Sequence, residues 1–462
     1  MPSVIRSASP RKNGITKLTN CRLVRGDSLV WDDVWVSSVT GKVIRSQAAF
    51  YDELIMPDEV IDLGGRIVSP GFIECQLNGA YGFNFSTDTD DMAQYGKQLR
   101  DLNKKLAHTG VTSYIPTVTS QSSDLYKKVL PYLGPSGASR RAHDGAESLG
   151  AHVEGPFLNP SKNGVHNPSI LRVASSVSDL EDMYGPANIT PEHLTSTTSS
   201  ESEPEGEAKR IDGIPIKMLT AAPELGAMTS LIPTLTARGI VVSIGHSEAT
   251  YEQASAAVSA GATMITHLFN AMRPLHHRNP GIFGVLGVAE QHHQGHKRPY
   301  FGIIADGIHL HPTTIKIAWN AHPEGMILVT DAMHMVGLPD GRYPWTNGEG
   351  EHYIVKKGSV LELEGTETIA GSSITLIECV NNFLAWSGAT IPQALKAVTA
   401  TPAAMLGVQG VKGALEAGAD ADLVVLSEEE VSSAEDGRRT KLVVDEVWKF
   451  GVRIFERGMV PE

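Results

Sequence analysis

The chain has 462 residues, of which 41% are hydrophobic and 20% charged, a composition that suits an ordinary globular protein with a large core. Its formal charge of -13 argues against a general nucleic-acid binder, because phosphate backbones are met by clustered Lys and Arg, although an anionic small substrate stays open if the site itself is locally basic. No run of about 18 apolar residues occurs, and Cys21, Cys75 and Cys379 lie far apart without a CxxC pair, so a cytoplasmic protein with no membrane span and no disulfide framework is expected.

Residues 1–14 read as a disordered lead. From Thr16 to Ile67, short segments such as Lys17 to Val24, Asp33 to Val36 and Gly41 to Ile44 alternate with turn residues and read as β structure; Ala421 to Leu426, Val443 to Trp448 and Val452 to Phe455 look alike. Neither half is large enough for a stable sheet alone. Residues 15–67 and 408–462 are therefore expected to pair into one small β-sandwich domain, with residues 68–407 inserted between them. Within the insert, candidate strands run Gly71 to Leu77, Ser113 to Thr119, Leu149 to Glu154, Ile216 to Ala221, Val241 to His246, Met264 to His267, Tyr300 to Ala305 and Met326 to Asp331. Apolar runs without alternation, separated by helix-length segments, suit parallel strands buried on both faces, and eight in series favour a closed (β/α)8, TIM-like barrel over an open sheet. Ser196 to Lys209, STTSSESEPEGEAK, reads as a flexible insertion within residues 190–210, and Glu428 to Thr440 as a second charged loop.

In such a barrel the C-terminal rim of the strands carries the chemistry. Strand three ends in Glu154, strands five and six in His246 and His267, and strand eight in Asp331. Each has a bland alternative taken alone: a satisfied polar residue at a strand end, or the cap of a loop or turn. Together, one carboxylate and two imidazoles could hold a divalent metal and leave a position open for water. Asp331 would then take the water's proton and return it to the leaving group.

The segments His152 to Leu158, Gly245-His246-Ser247, Thr266 to Met272, Ala305 to His309 and Leu328 to Ala332, in that order, closely resemble the N-acetylglucosamine-6-phosphate deacetylase family of the amidohydrolase superfamily. The resemblance runs from about Lys17 to Phe455. It implies a metal-dependent barrel, usually a homodimer, that removes acetate from N-acetylglucosamine 6-phosphate in amino-sugar metabolism. It assigns Glu154, His246 and His267 to the metal, Asp331 to acid/base work and His166, beside Val165, to the reacting end of the substrate. It places Asn270 and Ala271, through their backbone, with Arg278, His309 and the loop Ile369-Ala370-Gly371 around the sugar phosphate, Arg278 and His309 reaching in across the dimer interface. Many superfamily members carry His-x-His after strand one, which supplies a second metal. This chain has Gln76-Leu77-Asn78, and amides are poor replacements for imidazoles. One divalent ion per subunit is therefore expected, zinc first, with iron, manganese or cobalt able to share the ligands. His276, His277, His292, His293 and His296 read as loop residues. Two rivals stay open: an amidohydrolase acting on another N-acyl substrate, and a catalytically silent scaffold.

Overall fold

The computed structural model describes residues 13–45, 56–136, 140–191, 213–287, 298–345, 352–366, 368–433 and 437–458. The acidic stretch Ser196 to Lys209, most of the N-terminal lead, and His292, His293 and His296 lie outside them.

The unalternating apolar runs form a parallel barrel. Its strands are Phe72–Leu77, Val111–Val118, Ala151–Glu154, Ile216–Ala221, Val241–Ile244, Met264–Ile265, Tyr300–Ile304 and Met326–Val329, each hydrogen-bonded to the next in that order. Strands eight and one close the ring less regularly. The Asp331 N–H donates to the Gln76 carbonyl (2.9 Å) and the Asn78 N–H to the Ala332 carbonyl (2.8 Å), while the Glu74 carboxylate accepts the Thr330 N–H (3.3 Å). Helices cover the outside, and their ends are legible in the sequence. Asp91 caps Met92–Ala107 by accepting the Gln94 N–H, and that helix turns Tyr95, Leu102 and Leu106 onto the strands.

Because side chains alternate along each strand, the barrel interior is layered. One layer is apolar, with Ile73, Ile115, Met218, Met264, Ile304 and Ile327 packed together with Ala403 and Met405 of the helix Ala400–Met405. Two residues past Ile115, Met218 and Met264 the layer turns polar, at Thr117, Thr220 and Thr266. His152 bonds Thr220 Oγ1 (2.7 Å) and Thr117 Oγ1 (3.3 Å), and Thr220 Oγ1 and Ser243 Oγ both meet Thr266 Oγ1 (2.7 and 2.6 Å). Every member is buried and partnered, which avoids the cost of an orphaned polar group and fixes the floor beneath the rim.

The two chain ends meet in one eight-stranded sheet, separate from the barrel, in which Ile15–Arg25 and Ile67–Pro70 from the N-terminal side pair onward to Leu423–Ser433, Gly437–Lys449 and Val452–Glu456. Of Glu428 to Thr440, expected to be a loop, the described residues 428–433 and 437–440 instead pair as strand, continuing the ladder of Leu423–Ser433 with Gly437–Lys449. Ion pairs from outside the segment, Arg22 to Glu428 and Arg457 to Glu429, offset the charge density that made it look like a loop. A three-stranded antiparallel unit, Gly341–Trp345, His352–Lys357 and Val360–Leu363, follows strand eight and was not anticipated.

A buried ionic cluster ties the terminal sheet to the barrel. Lys449 Nζ meets Glu147 (2.5 Å), Asp422 (2.7 Å) and the carbonyl of Thr112 in strand two (3.0 Å); Lys412 contacts Glu147, Asp420 (2.7 Å) and Asp422 (2.8 Å). Burial opposes the charge on Asp422, yet the two lysines outweigh it and hold the carboxyl down at about 2. That contribution is present above the ordinary carboxylate range and is lost only as pH falls through about 2. Lys449 is 0% exposed, so removing its charge leaves Lys412, already paired with Asp420, alone to balance Glu147 and Asp422. Lys449→Met is expected to lower stability by about 3–5 kcal/mol, read as a fall in the urea midpoint; an unchanged midpoint would contradict the role.

Candidate active site

The rim residues expected from the strand ends converge. Nε2 of His246 and Nε2 of His267 lie 3.1 and 3.0 Å from Glu154 Oε1, and 3.1 Å from each other. All three side chains are buried. His246 and His267 leave their strands with φ of 48° and 25°, and Asp331 with 46°, conformations that persist only where the surroundings fix them. Gly245, just before the first of these, lets Thr220 and Thr266 pack close, since a Cβ there would stand 2.8 Å from both.

The hydrogen bonds behind the ligands define what they present. Nδ1 of His246 faces the Lys162 carbonyl at 2.7 Å, so that nitrogen carries the proton and Nε2 offers a lone pair to the point shared with Glu154 and His267. Burial opposes ionisation of Glu154, but the two imidazoles of His246 and His267 beside it outweigh burial and hold the carboxyl well below its usual range. A carboxylate and two imidazole nitrogens aimed at one point form a donor set that fits a divalent first-row ion. This is a candidate His/Glu metal site.

His166 stands against His246, its ring centroid 4.6 Å away, and the ligand atoms of Glu154, His166 and His246 lie within 4.8 Å of one another. Its own wiring sets it apart as a donor. The Ser120 N–H donates to His166 Nδ1 (3.2 Å) and Ser120 Oγ lies 2.8 Å from the same nitrogen, which leaves the proton on Nε2. Burial first, then the field of His246, lowers the ring to about 3, so it is neutral at any working pH.

The amides that replace His-x-His are spent on carboxylates. Gln76 Nε2 donates to Glu154 Oε1 (3.2 Å), and Asn78 Nδ2 to Asp331 Oδ1 (2.7 Å). Burial, reinforced by the charge of Glu154, raises Asp331 to about 6, against the pull of His267 and His309.

The remaining expected residues are distributed around this centre. Val165 and His166 share one loop, Val165 half-buried. Ala370 and Gly371 run beside Asp331: the Ala370 N–H donates to the Leu361 carbonyl (2.9 Å), linking this loop to the three-stranded unit, and Gly371, at φ 83°, leaves room for Met333. Ile369 is exposed. The Asn270 N–H, expected to face a ligand, donates instead to the His267 carbonyl (3.0 Å), because the chain turns tightly there through left-handed Phe269 and Ala271. His309 is held by Asp306, Nδ1 to Oδ2 at 2.6 Å, and lies near enough to Asp331 of its own chain to influence it. Arg278 is exposed on the loop after strand six, beside exposed His276 and His277. Ser120, Lys162 and Glu224 escaped the reading of strand ends. Lys162 acts through its carbonyl and leaves no trace in the sequence, whereas Glu224, three residues past strand four, lay within reach of the same logic.

A parallel barrel with a carboxylate and two imidazoles meeting at one point, and a second carboxylate beside them on its C-terminal rim, belongs to the class of barrels built for hydrolysis at a divalent ion. Residues 67–449 match the amidohydrolase family. The N-acetylglucosamine-6-phosphate deacetylase of Danio rerio is 39% identical over 442 residues, 94% of this chain and 97% of that protein. The mouse (Mus musculus) protein of the same name is 39% identical over 421 residues, 90% of this chain and 92% of its own. A crystal structure of the Thermotoga maritima N-acetylglucosamine-6-phosphate deacetylase superposes with a TM-score of 0.70 at 26% identity, over 95% of this chain and 99% of that one. The chain belongs to the amidohydrolase family and, within it, to the N-acetylglucosamine-6-phosphate deacetylases.

Proposed function

We propose that the protein hydrolyses the acetamide of N-acetyl-D-glucosamine 6-phosphate to D-glucosamine 6-phosphate and acetate. The observation that carries this reading is the meeting of Glu154, His246 and His267 on one point, beside Asp331 and a neutral His166, in a chain of this family. Glu154, His246 and His267 would hold one divalent ion per chain, with zinc the first choice. When bound, it supplies a Lewis acid that polarises the amide carbonyl and makes water acidic enough to ionise near neutral pH. Asp331 takes the proton of the attacking water and delivers it to the amine nitrogen as the C–N bond breaks. The His166 Nε2–H donates to the carbonyl oxygen as negative charge develops there. Asn78 orients Asp331, and Gln76 steadies Glu154.

The sugar phosphate is met by the loop of Asn270 and Ala271, by Ile369-Ala370-Gly371, and by Arg278 and His309. A homodimer fits the exposure of Arg278, which would reach the neighbouring subunit's site; His309, expected to cross with it, lies near Asp331 of its own chain and would act there instead. Residues 15–67 and 408–462 would form one β domain around a barrel expected over 68–407, with Val68 to Pro70 going with the β domain because they pair with Leu423 to Val425. A cytoplasmic setting fits three free, buried cysteines. Arg278→Ala is expected to raise KM for the phosphorylated sugar about 10–100-fold through loss of a charge-assisted hydrogen bond, with kcat little changed. An unchanged KM would remove Arg278 from the phosphate site.

A further inference from the structure

Strand four supplies no ligand, yet the loop after it holds a carboxylate that joins the loops on either side. Glu224 Oε1 accepts Asn159 Nδ2 (2.9 Å) and the Glu248 N–H (2.7 Å), and Oε2 accepts the Ser247 hydroxyl (2.7 Å). Asn159 follows strand three, and Ser247 and Glu248 follow His246. We propose that Glu224 is a positioning residue that orients His246 and thereby sets metal affinity, an inference that rests on the reading of Glu154, His246 and His267 as ligands.

The connection runs through backbone as well as side chains. Asn159 Oδ1 caps the short turn Pro160–Lys162 by accepting the Ser161 N–H (3.0 Å), while its Nδ2 is held by Glu224. The turn delivers the Lys162 carbonyl to His246 Nδ1 at 2.7 Å, and the Asn159 N–H donates to the His246 carbonyl (2.9 Å). Lys162 Nζ closes the ring on Glu248 (2.8 Å). His246 therefore has its left-handed backbone gripped from both sides and its tautomer fixed by a carbonyl whose place depends on Glu224. A residue that merely stapled surface loops would have no reason to engage both the turn behind Nδ1 and the two residues after the ligand.

The test is a titration of the full chain with Zn2+ against a chromophoric chelator, with the melting temperature of the metal-free protein read in parallel. Glu224→Ala is expected to weaken Zn2+ binding about 10–100-fold, the usual effect of losing support behind a ligand. Glu224→Gln should stay close to the unsubstituted protein, because its Oε1 still accepts from Asn159 and Glu248 and its amide donates to the Ser247 hydroxyl. If Glu224→Ala lowers the melting temperature and leaves Zn2+ affinity unchanged, Glu224 is only structural and the proposal is overturned. Should Glu224→Ala fail to fold, Asn159→Asp decides: it keeps the cap on Ser161 but sets a second carboxylate against Glu224, so weakened Zn2+ binding supports the proposal and unchanged binding overturns it. An unsubstituted protein that bound no Zn2+ would fail the ligand reading itself, an outcome distinct from equal affinities in protein and variants.

Discussion

Asp331→Asn is expected to lower kcat by about 10²–10⁴-fold while leaving metal content and KM near those of the unsubstituted protein. The substitution is close to isosteric, and Asn is among the few residues that tolerate a left-handed backbone such as the φ of 46° at this position. The amide carbonyl can still accept from Asn78 Nδ2, and the backbone bond from the residue 331 N–H to the Gln76 carbonyl is untouched. What is lost is the ability to carry a proton from water to the amine. The same group sets the acid limb of the pH profile. Asp331 must be ionised to act as a base, so turnover fails as pH falls through its pKa. Burial and Glu154 raise that value to about 6, and a bound cation would pull it back down, which puts the limb at or below about pH 6. Asp331→Asn should abolish this limb along with most of the rate. A variant that kept most of its turnover would remove Asp331 from the reaction.

Removal of the metal should be as severe. Chelation, or His246→Ala, is expected to cost about 10³-fold or more in turnover, since a Lewis acid supplies several kcal/mol of charge stabilisation. Activity should return to the chelated protein, and not to His246→Ala, when a divalent ion is added back. Elemental analysis of the active protein should find one ion per chain. The second site common in the superfamily needs two imidazoles where Gln76 and Asn78 stand, and both amides are already committed to Glu154 and Asp331. Two ions per active chain would contradict this account, as would full activity after exhaustive chelation.

The strands and the residues at their ends were legible because parallel strands buried on both faces leave unbroken apolar runs, several of them stopping at a side chain of different chemistry. Glu154, His246, His267 and Asp331 follow from that alone. The elements that escaped depend on tertiary partners. Glu428 to Ser433 looked like a loop because its charges are balanced by Arg22 and Arg457, distant in sequence. The three-stranded unit from Gly341 to Leu363 is short and polar, and its apolar contacts are made with Met333, Met335 and Ala370. The support behind the ligands was hidden for a related reason. Lys162 meets His246 through its carbonyl and Ser120 meets His166 in part through its N–H, contacts that no side-chain identity announces in the sequence.

The most direct test is acetate release by the purified, metal-loaded protein from N-acetylglucosamine 6-phosphate and, in parallel, from unphosphorylated N-acetylglucosamine. Rapid release from the phosphorylated sugar and far slower release from the other is the expected result. No release from either, with one metal ion demonstrably bound, would contradict the assigned reaction.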